Sequence, residues 1–211
     1  MKKQLVLTVL LVVCSLLTLG MQSGEYMFKI LNEEAATETV AFDTISDDRI
    51  AFESTTHLHF QMQQAVYKTK GQIKDNLIVD YQLNLIYNNS ESIIHCAIND
   101  ETLTYTINDV SKDIPIEEPL LVLDNNLAWI WQLVYNLYHE NGYETIHVFV
   151  PQLLIRNFTE ILTLEFQKTT QTEEDTNLFF NYNGQSGLLK ADENHQVFQL
   201  LMGGTQMVKT K

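Results

Sequence analysis

The stretch LDNNLAWIWQLVYNLYHENG, residues 123–142, holds both tryptophans and decides how the rest of the chain is read. Helical spacing gathers Asn125, Gln132, Asn136 and His139 on one narrow stripe. The rest of the circumference is Leu127, Ala128, Trp129, Ile130, Trp131, Leu133, Val134, Tyr135, Leu137 and Tyr138. A surface helix carries one apolar stripe, whereas a helix apolar nearly all round is buried. A membrane span fails on length and would set Gln132 and Asn136 at mid-depth, where amides are costly. Asp124 is the expected N-cap, Gly142 the stop and His139 a last-turn residue, so the helix is expected over 124–140.

Outside this stretch the chain alternates with period two, the pattern of half-buried strands. Ile50, Phe52, Leu58, Phe60 and Met62 share a face on which Ser54 and Thr56 also fall, opposite Glu53, Thr55, His57, His59 and Gln61. Leu77, Val79, Tyr81, Leu83, Leu85 and Tyr87 repeat the pattern, as do Leu103, Tyr105 and Ile107. It returns in Leu162, Leu164 and Phe166, in Leu178, Phe180 and Tyr182, and in Phe198, Leu200 and Met202. Short turn signals such as Asp47-Asp48 and Asn183-Gly184 separate these runs, which predicts an antiparallel meander of about ten or more strands. A sheet of that size curls or closes. The expected fold is mainly β: a strongly curved antiparallel sheet, a half-open barrel, with the apolar helix in its concave face. A helix of sixteen residues is about 24 Å long, at about 1.5 Å per residue, which suits the length of such a groove. Its polar stripe is expected to face the open mouth.

The chain begins MKKQLVLTVLLVVCSLLTLG. Two lysines precede a short apolar run, the form of a secretory leader, so residues 1–20 read as a signal peptide or a retained N-terminal anchor. Val13 is bulky where a lipoprotein leader wants a small residue before Cys14. Residues 25–202 read as one domain, without a linker or repeat, and 203–211 as a short tail. Removing the leader takes away two lysines and no acidic residue, leaving 11 basic side chains against 27 acidic ones. That acidity argues against nucleic acid and anionic lipid surfaces as partners. Cys96 is then the lone cysteine, so no intrachain disulfide is expected even in a compartment that allows one.

The residues PLLVLDNNLAWIWQLV (119–134), VFVPQ (148–152) and FFNYNGQSGLLKADENHQVFQL (179–200) carry a resemblance. In order and pattern they resemble a group of exported bacterial proteins of unknown function that are similar in turn to the lipoprotein-carrier half-barrel. The resemblance implies a curved sheet closed by helix and a hollow able to hold an acyl chain or another apolar ligand. It implies no catalytic residue.

Motif searches for chemistry end in bland readings. His57 and His59 share one strand face but no third metal ligand lies near them in sequence. His139-Glu140 lacks a histidine at position 143, where Tyr143 stands. Gly184-Gln185-Ser186-Gly187 lacks nucleophile-elbow spacing and falls in a hairpin loop. Asp43-Thr44 lacks the glycine of an aspartic protease loop, and His95 and Cys96 point to opposite faces of a strand. No catalytic residue, metal ligand or cofactor is therefore assigned. The aromatic set is what bears on function: Trp129, Trp131, Tyr135 and Tyr138 on the helix, facing Phe52, Phe60, Tyr81 and Phe166 across the groove. These residues either form a plain core or line a site for an apolar ligand. The expectation is an exported envelope protein that binds a lipid-like or other apolar molecule without catalysis. The alternatives are a fully packed structural or assembly protein that docks an envelope partner and, behind it, an envelope hydrolase. No oligomeric state follows from the sequence.

Overall fold

Strand forms wherever the sequence alternates. The computed structural model describes residues 21, 23–60, 63–88, 90–99, 101–116, 119–124, 127–156, 158–172 and 175–210. The readings of residues 1–20, Gln61, Met62 and Asn125 lie outside them. The first strands are β1 (Gly24–Ile30), β2 (Glu33–Ser46), β3 (Arg49–Phe60), β4 (Gln63–Lys74) and β5 (Leu77–Tyr87). They continue as β6 (Ser90–Asn99), β7 (Thr102–Ile107) and β8 (Val110–Pro115). The chain then runs through β9 (Leu120–Val122), the helix α1 (Ile130–His139), β10 (Thr145–Phe149) and a 3-10 segment, Pro151–Arg156. It closes with β11 (Leu162–Gln171), β12 (Asp175–Tyr182), β13 (Gln185–Asp192), β14 (Val197–Met202) and β15 (Thr205–Lys209).

All fifteen strands share one sheet, in the order β8-β7-β6-β5-β4-β3-β2-β1-β15-β14-β13-β12-β11-β10-β9. Two meanders thus meet at β1 and β15, which pair antiparallel from Tyr26 opposite Lys209 to Ile30 opposite Thr205. Residues 205–209 are not a tail, as read above, but the strand that joins the halves. Two-residue turns with both residues at positive φ make several of the hairpins, Asp75-Asn76, Asn108-Asp109 and Asn183-Gly184 among them. Leu31-Asn32 does the same with leucine at φ 51°.

The sheet departs from a pure meander at one place. β9 and β10 are parallel, with Leu121 opposite Val148, and α1 is the crossover between them. β9 is buried throughout and lies against β5, and the Phe149 ring meets Tyr105 at 6.0 Å between centroids. The β9–β10 edge therefore folds onto the inner face of β5–β7 by side-chain contact and not by a hydrogen-bonded ladder.

The concave face is a set of cross-strand rows. One runs Phe42, Phe52, Gly71, Tyr81, Cys96, Tyr105. The next runs Val40, Ser54, Thr69, Leu83, Ile94, and the one beyond it Glu38, Thr56, Tyr67, Leu85. A register shift between Gln72 and Ile73 changes the alternation of β5, so Ile78 is buried and Leu77 and Val79, expected on the core face, are only half-buried. Two rows need glycine, because an aromatic ring lies over its cross-strand partner. A Cβ on Gly187 would meet Cζ of Phe180 at 2.1 Å, and one on Gly71 would meet the Asp80 carbonyl oxygen at 2.0 Å and Cζ of Phe52 at 2.9 Å.

Candidate functional site

The helix starts later than expected. A turn closed by Leu127 N–H on the Asp124 carbonyl, at 3.0 Å, precedes it, and Trp129 stands at the helix N-cap without a side-chain capping bond. Asp124 does not act as the N-cap. It is fully buried, and its carboxyl accepts the Tyr81 hydroxyl. The amides just ahead of the helix are met instead by Glu38, which reaches in from β2. Its Oε2 accepts the Ala128 amide at 2.6 Å and its Oε1 pairs with Ser54 Oγ at 2.6 Å. A carboxylate at a helix N-terminus suits both the unpaired amides and the dipole. Glu38 is nevertheless only 1% exposed. Burial first, then the nearby Asp124 carboxyl, push its pKa up to about 8, against the Ser54, Ala128 and Trp129 hydrogen bonds that favour the anion. The Tyr81 hydroxyl is likewise pushed well up, by burial and by Asp124.

The helix stripe does not face an open mouth. Gln132 and Asn136 are 6% and 5% exposed, and two turns cover them. Gln132 Nε2 donates to Asn136 Oδ1 at 2.8 Å and to the His195 carbonyl at 2.9 Å, while Gln132 Oε1 accepts the Val197 amide at 2.7 Å. Asn136 Nδ2 donates to Asn76 Oδ1 at 3.1 Å, and Asn76 Nδ2 donates to Glu140 Oε2 at 3.0 Å. At the other end Gly142, at φ 73°, turns the chain, its amide on the Tyr138 carbonyl at 3.1 Å. Gly142 is the stop as expected.

The eight aromatic positions fall into separate groups. Trp129 packs on Phe52, tilted, at 4.6 Å between centroids, and Phe52 contacts Tyr81 at 6.5 Å. Trp131 packs on Phe180 at 5.3 Å, and Tyr138 on Phe166 at 4.9 Å. Tyr135 turns toward His139 and His195. Phe60 joins none of these ring contacts and is half-buried near the end of β3. Both indole N–H groups are buried without a hydrogen-bond partner, so ring area and contact hold the tryptophans in place. The space beside Trp131, walled by Tyr26, Ala128 and Val197, is about 10 Å³, room for no more than about one water.

Open space lies at the two ends of the sheet. Near the start of β4 a mainly apolar cleft of about 170 Å³ is lined by Phe28, Ile30, Ala36, Leu58, Tyr67 and Thr205. At the far end of β4 a more polar one of about 360 Å³ is bordered by Arg49, Lys74, Leu77, Val79 and Leu120. Among the described residues no three His, Cys, Asp or Glu side chains converge on a metal position. Cys96 is free and buried, and burial pushes its thiol far up, which leaves it a poor nucleophile. Glu38 and His195 were missed in the sequence reading. The signal for Glu38 was present: Ala36, Glu38, Val40 and Phe42 share one strand face.

The fold defines a β-barrel-like protein: among the described residues, one open, strongly curved sheet around the helix α1. No family model and no curated protein matches the chain. Among solved structures it is similar to the crystal structure of a beta-barrel-like protein of a domain of unknown function, DUF1849, from Brucella abortus. The identity is 9%, the match covers 89% of this chain and 94% of that one, and the TM-score is 0.50. A DUF1089 family protein from Pseudomonas aeruginosa matches at 9% identity over 76% of this chain and 87% of its own, with a TM-score of 0.43. At such identity the first likeness shows the fold alone, and the second adds nothing to it.

Proposed function

We propose that this is an exported, non-catalytic protein that holds the apolar part of a lipid-like ligand in the cleft lined by Phe28, Ile30, Ala36 and Leu58. The observation that carries this reading is that cleft, a mainly apolar opening of about 170 Å³ on the concave face. It is smaller than the roughly 300–1,000 Å³ of drug-sized sites, so it suits one chain or ring of a ligand and not a whole two-chain lipid. The tryptophans, neither of which lines the cleft, enter this reading as buried core and not as the ligand contact. Export is supported by the basic-then-apolar residues 1–20. The half-barrel resemblance of the sequence points the same way.

The test uses N-phenyl-1-naphthylamine, whose fluorescence rises in apolar surroundings. Saturable uptake is expected, and Leu58→Trp, which fills the cleft, should abolish it while the fold persists by circular dichroism. Uptake that Leu58→Trp leaves unchanged would overturn this placement, and no saturable uptake would overturn the reading. Fractionation of cells carrying a C-terminally tagged full chain tests export, which fails if the chain stays in the cytoplasm. The second reading, a packed assembly protein, is favoured by the filled space at Trp131 and by the largely exposed edge strand β8. In-cell cross-linking that recovers one protein partner through β8, with no bound lipid, supports it over the first.

A further inference from the structure

Tyr135, His139 and His195 form a ring cluster where α1 meets the turn between β13 and β14. The His139 and His195 centroids are 4.2 Å apart, and Tyr135 stacks on both, at 5.4 and 6.2 Å. The Tyr135 hydroxyl pairs with His195 Nδ1 at 3.1 Å, so a His195 that accepts there is neutral with its proton on Nε2. The same turn is held by the His195 carbonyl and the Val197 amide, both on Gln132. Every one of these contacts lands on one stripe of α1. Val197, at the end of the same turn, also lines a narrow crevice of about 10 Å³ between α1 and β14, with Trp131 in its wall.

We propose that the His139–His195 pair is an acid-released latch: with at most one proton between the rings the turn stays clipped to α1, and a second proton drives them apart and opens the crevice beside Trp131. Two imidazolium rings at this separation repel, whereas a protonated His195 Nδ1 can still donate to the Tyr135 oxygen, so the ring repulsion carries the release. Burial and then His195 already hold His139 below the ordinary imidazole range, while Glu140 pulls it up. Glu140 already accepts from Asn76 on the β4–β5 turn, where Asp75 is exposed. On the β13–β14 turn Asp192 Oδ1 accepts the Asn194 and Gln196 amides, and Glu193 is exposed. Lys209 on β15 adds positive charge near Asp192. As a gate for an apolar guest the latch rests on the ligand-binding reading above, whereas its release is measured without ligand.

The measurement is amide hydrogen exchange on the full chain at pH 7.5 and pH 5.0, expressed as protection factors so that intrinsic chemistry cancels. Protection of the Val197 amide should fall about tenfold or more at pH 5.0, while amides of central strand β5 keep theirs. His139→Gln, which leaves a single imidazole, should hold Val197 protected at both values. His195→Asn, chosen because asparagine tolerates positive φ, should make Val197 exchange independent of pH. Unchanged protection in the wild type at pH 5.0, or an equal fall in His139→Gln, overturns the latch. The ligand role fails separately: in Leu58→Trp, whose other cleft is filled, release at pH 5.0 with no uptake of N-phenyl-1-naphthylamine refutes the gate, and uptake that the double variant Leu58→Trp, His139→Gln lacks supports it.

Discussion

Replacing Glu38 by glutamine should remove a large pH dependence from the stability of the fold. In the folded chain Glu38 is sealed between Ser54 and the first turn of α1 and titrates at about 8, against 4.5 for an unperturbed glutamate. The folded state therefore keeps its proton over a range in which the unfolded chain has lost it. A group raised in this way supports the fold fully below about pH 4.5 and loses that support as pH rises to about 8. At ~1.4 kcal/mol per unit, the loss amounts to about 5 kcal/mol, a large share of the roughly 5–15 kcal/mol that holds a domain folded. Glutamine keeps an oxygen for the Ala128 amide and an N–H for Ser54 Oγ, and it carries no charge. Urea unfolding of wild type and Glu38→Gln at half-unit steps from pH 4 to 9 reads the effect. The wild type should lose stability with a slope approaching ~1.4 kcal/mol per pH unit between pH 5 and 7.5, then level off. The variant should lack that slope and be the more stable protein at pH 8.5. Parallel curves would refute the reasoning, since they would mean that Glu38 exchanges no proton on unfolding.

Further outcomes follow from packing and backbone. Gly187→Ala should destabilise by about 1–3 kcal/mol, because the new Cβ meets the Phe180 ring at 2.1 Å and that ring is wedged against Trp131; a thermal melt within 2 °C of wild type would contradict this. Leu31→Asn should stabilise by about 1 kcal/mol, since leucine stands at φ 51° on an exposed two-residue turn where asparagine fits, and urea midpoints decide it. Cys96 should resist a thiol reagent in the native state and react on addition of denaturant, because its buried thiol is pushed far above the usual range; fast native labelling would show that β6 opens locally.

The apolar circumference of residues 127–138 and the period-two runs carried most of the architecture in the sequence. A helix with apolar residues nearly all round has no stable place except inside, and strands with one apolar face must curl around something. That is how Trp129 and Trp131, each 1% exposed, came to be enclosed. What the sequence left open are contacts between residues far apart in the chain. Glu38 lies 90 positions from the Ala128 amide it caps, so the local reading chose Asp124, which was near in sequence but engaged by Tyr81. The polar stripe read as a mouth because Gln132 and Asn136 met no partner locally; their partners are His195, Val197 and Asn76, brought by turns on two distant hairpins. The same reason hid the parallel pairing of β9 with β10 and the role of residues 205–209, since register between strands is set by the closure of the whole sheet. Periodicity determines which face of an element is buried. Only the folded sheet decides what that face meets, because a buried polar group takes the partner that closure delivers to it.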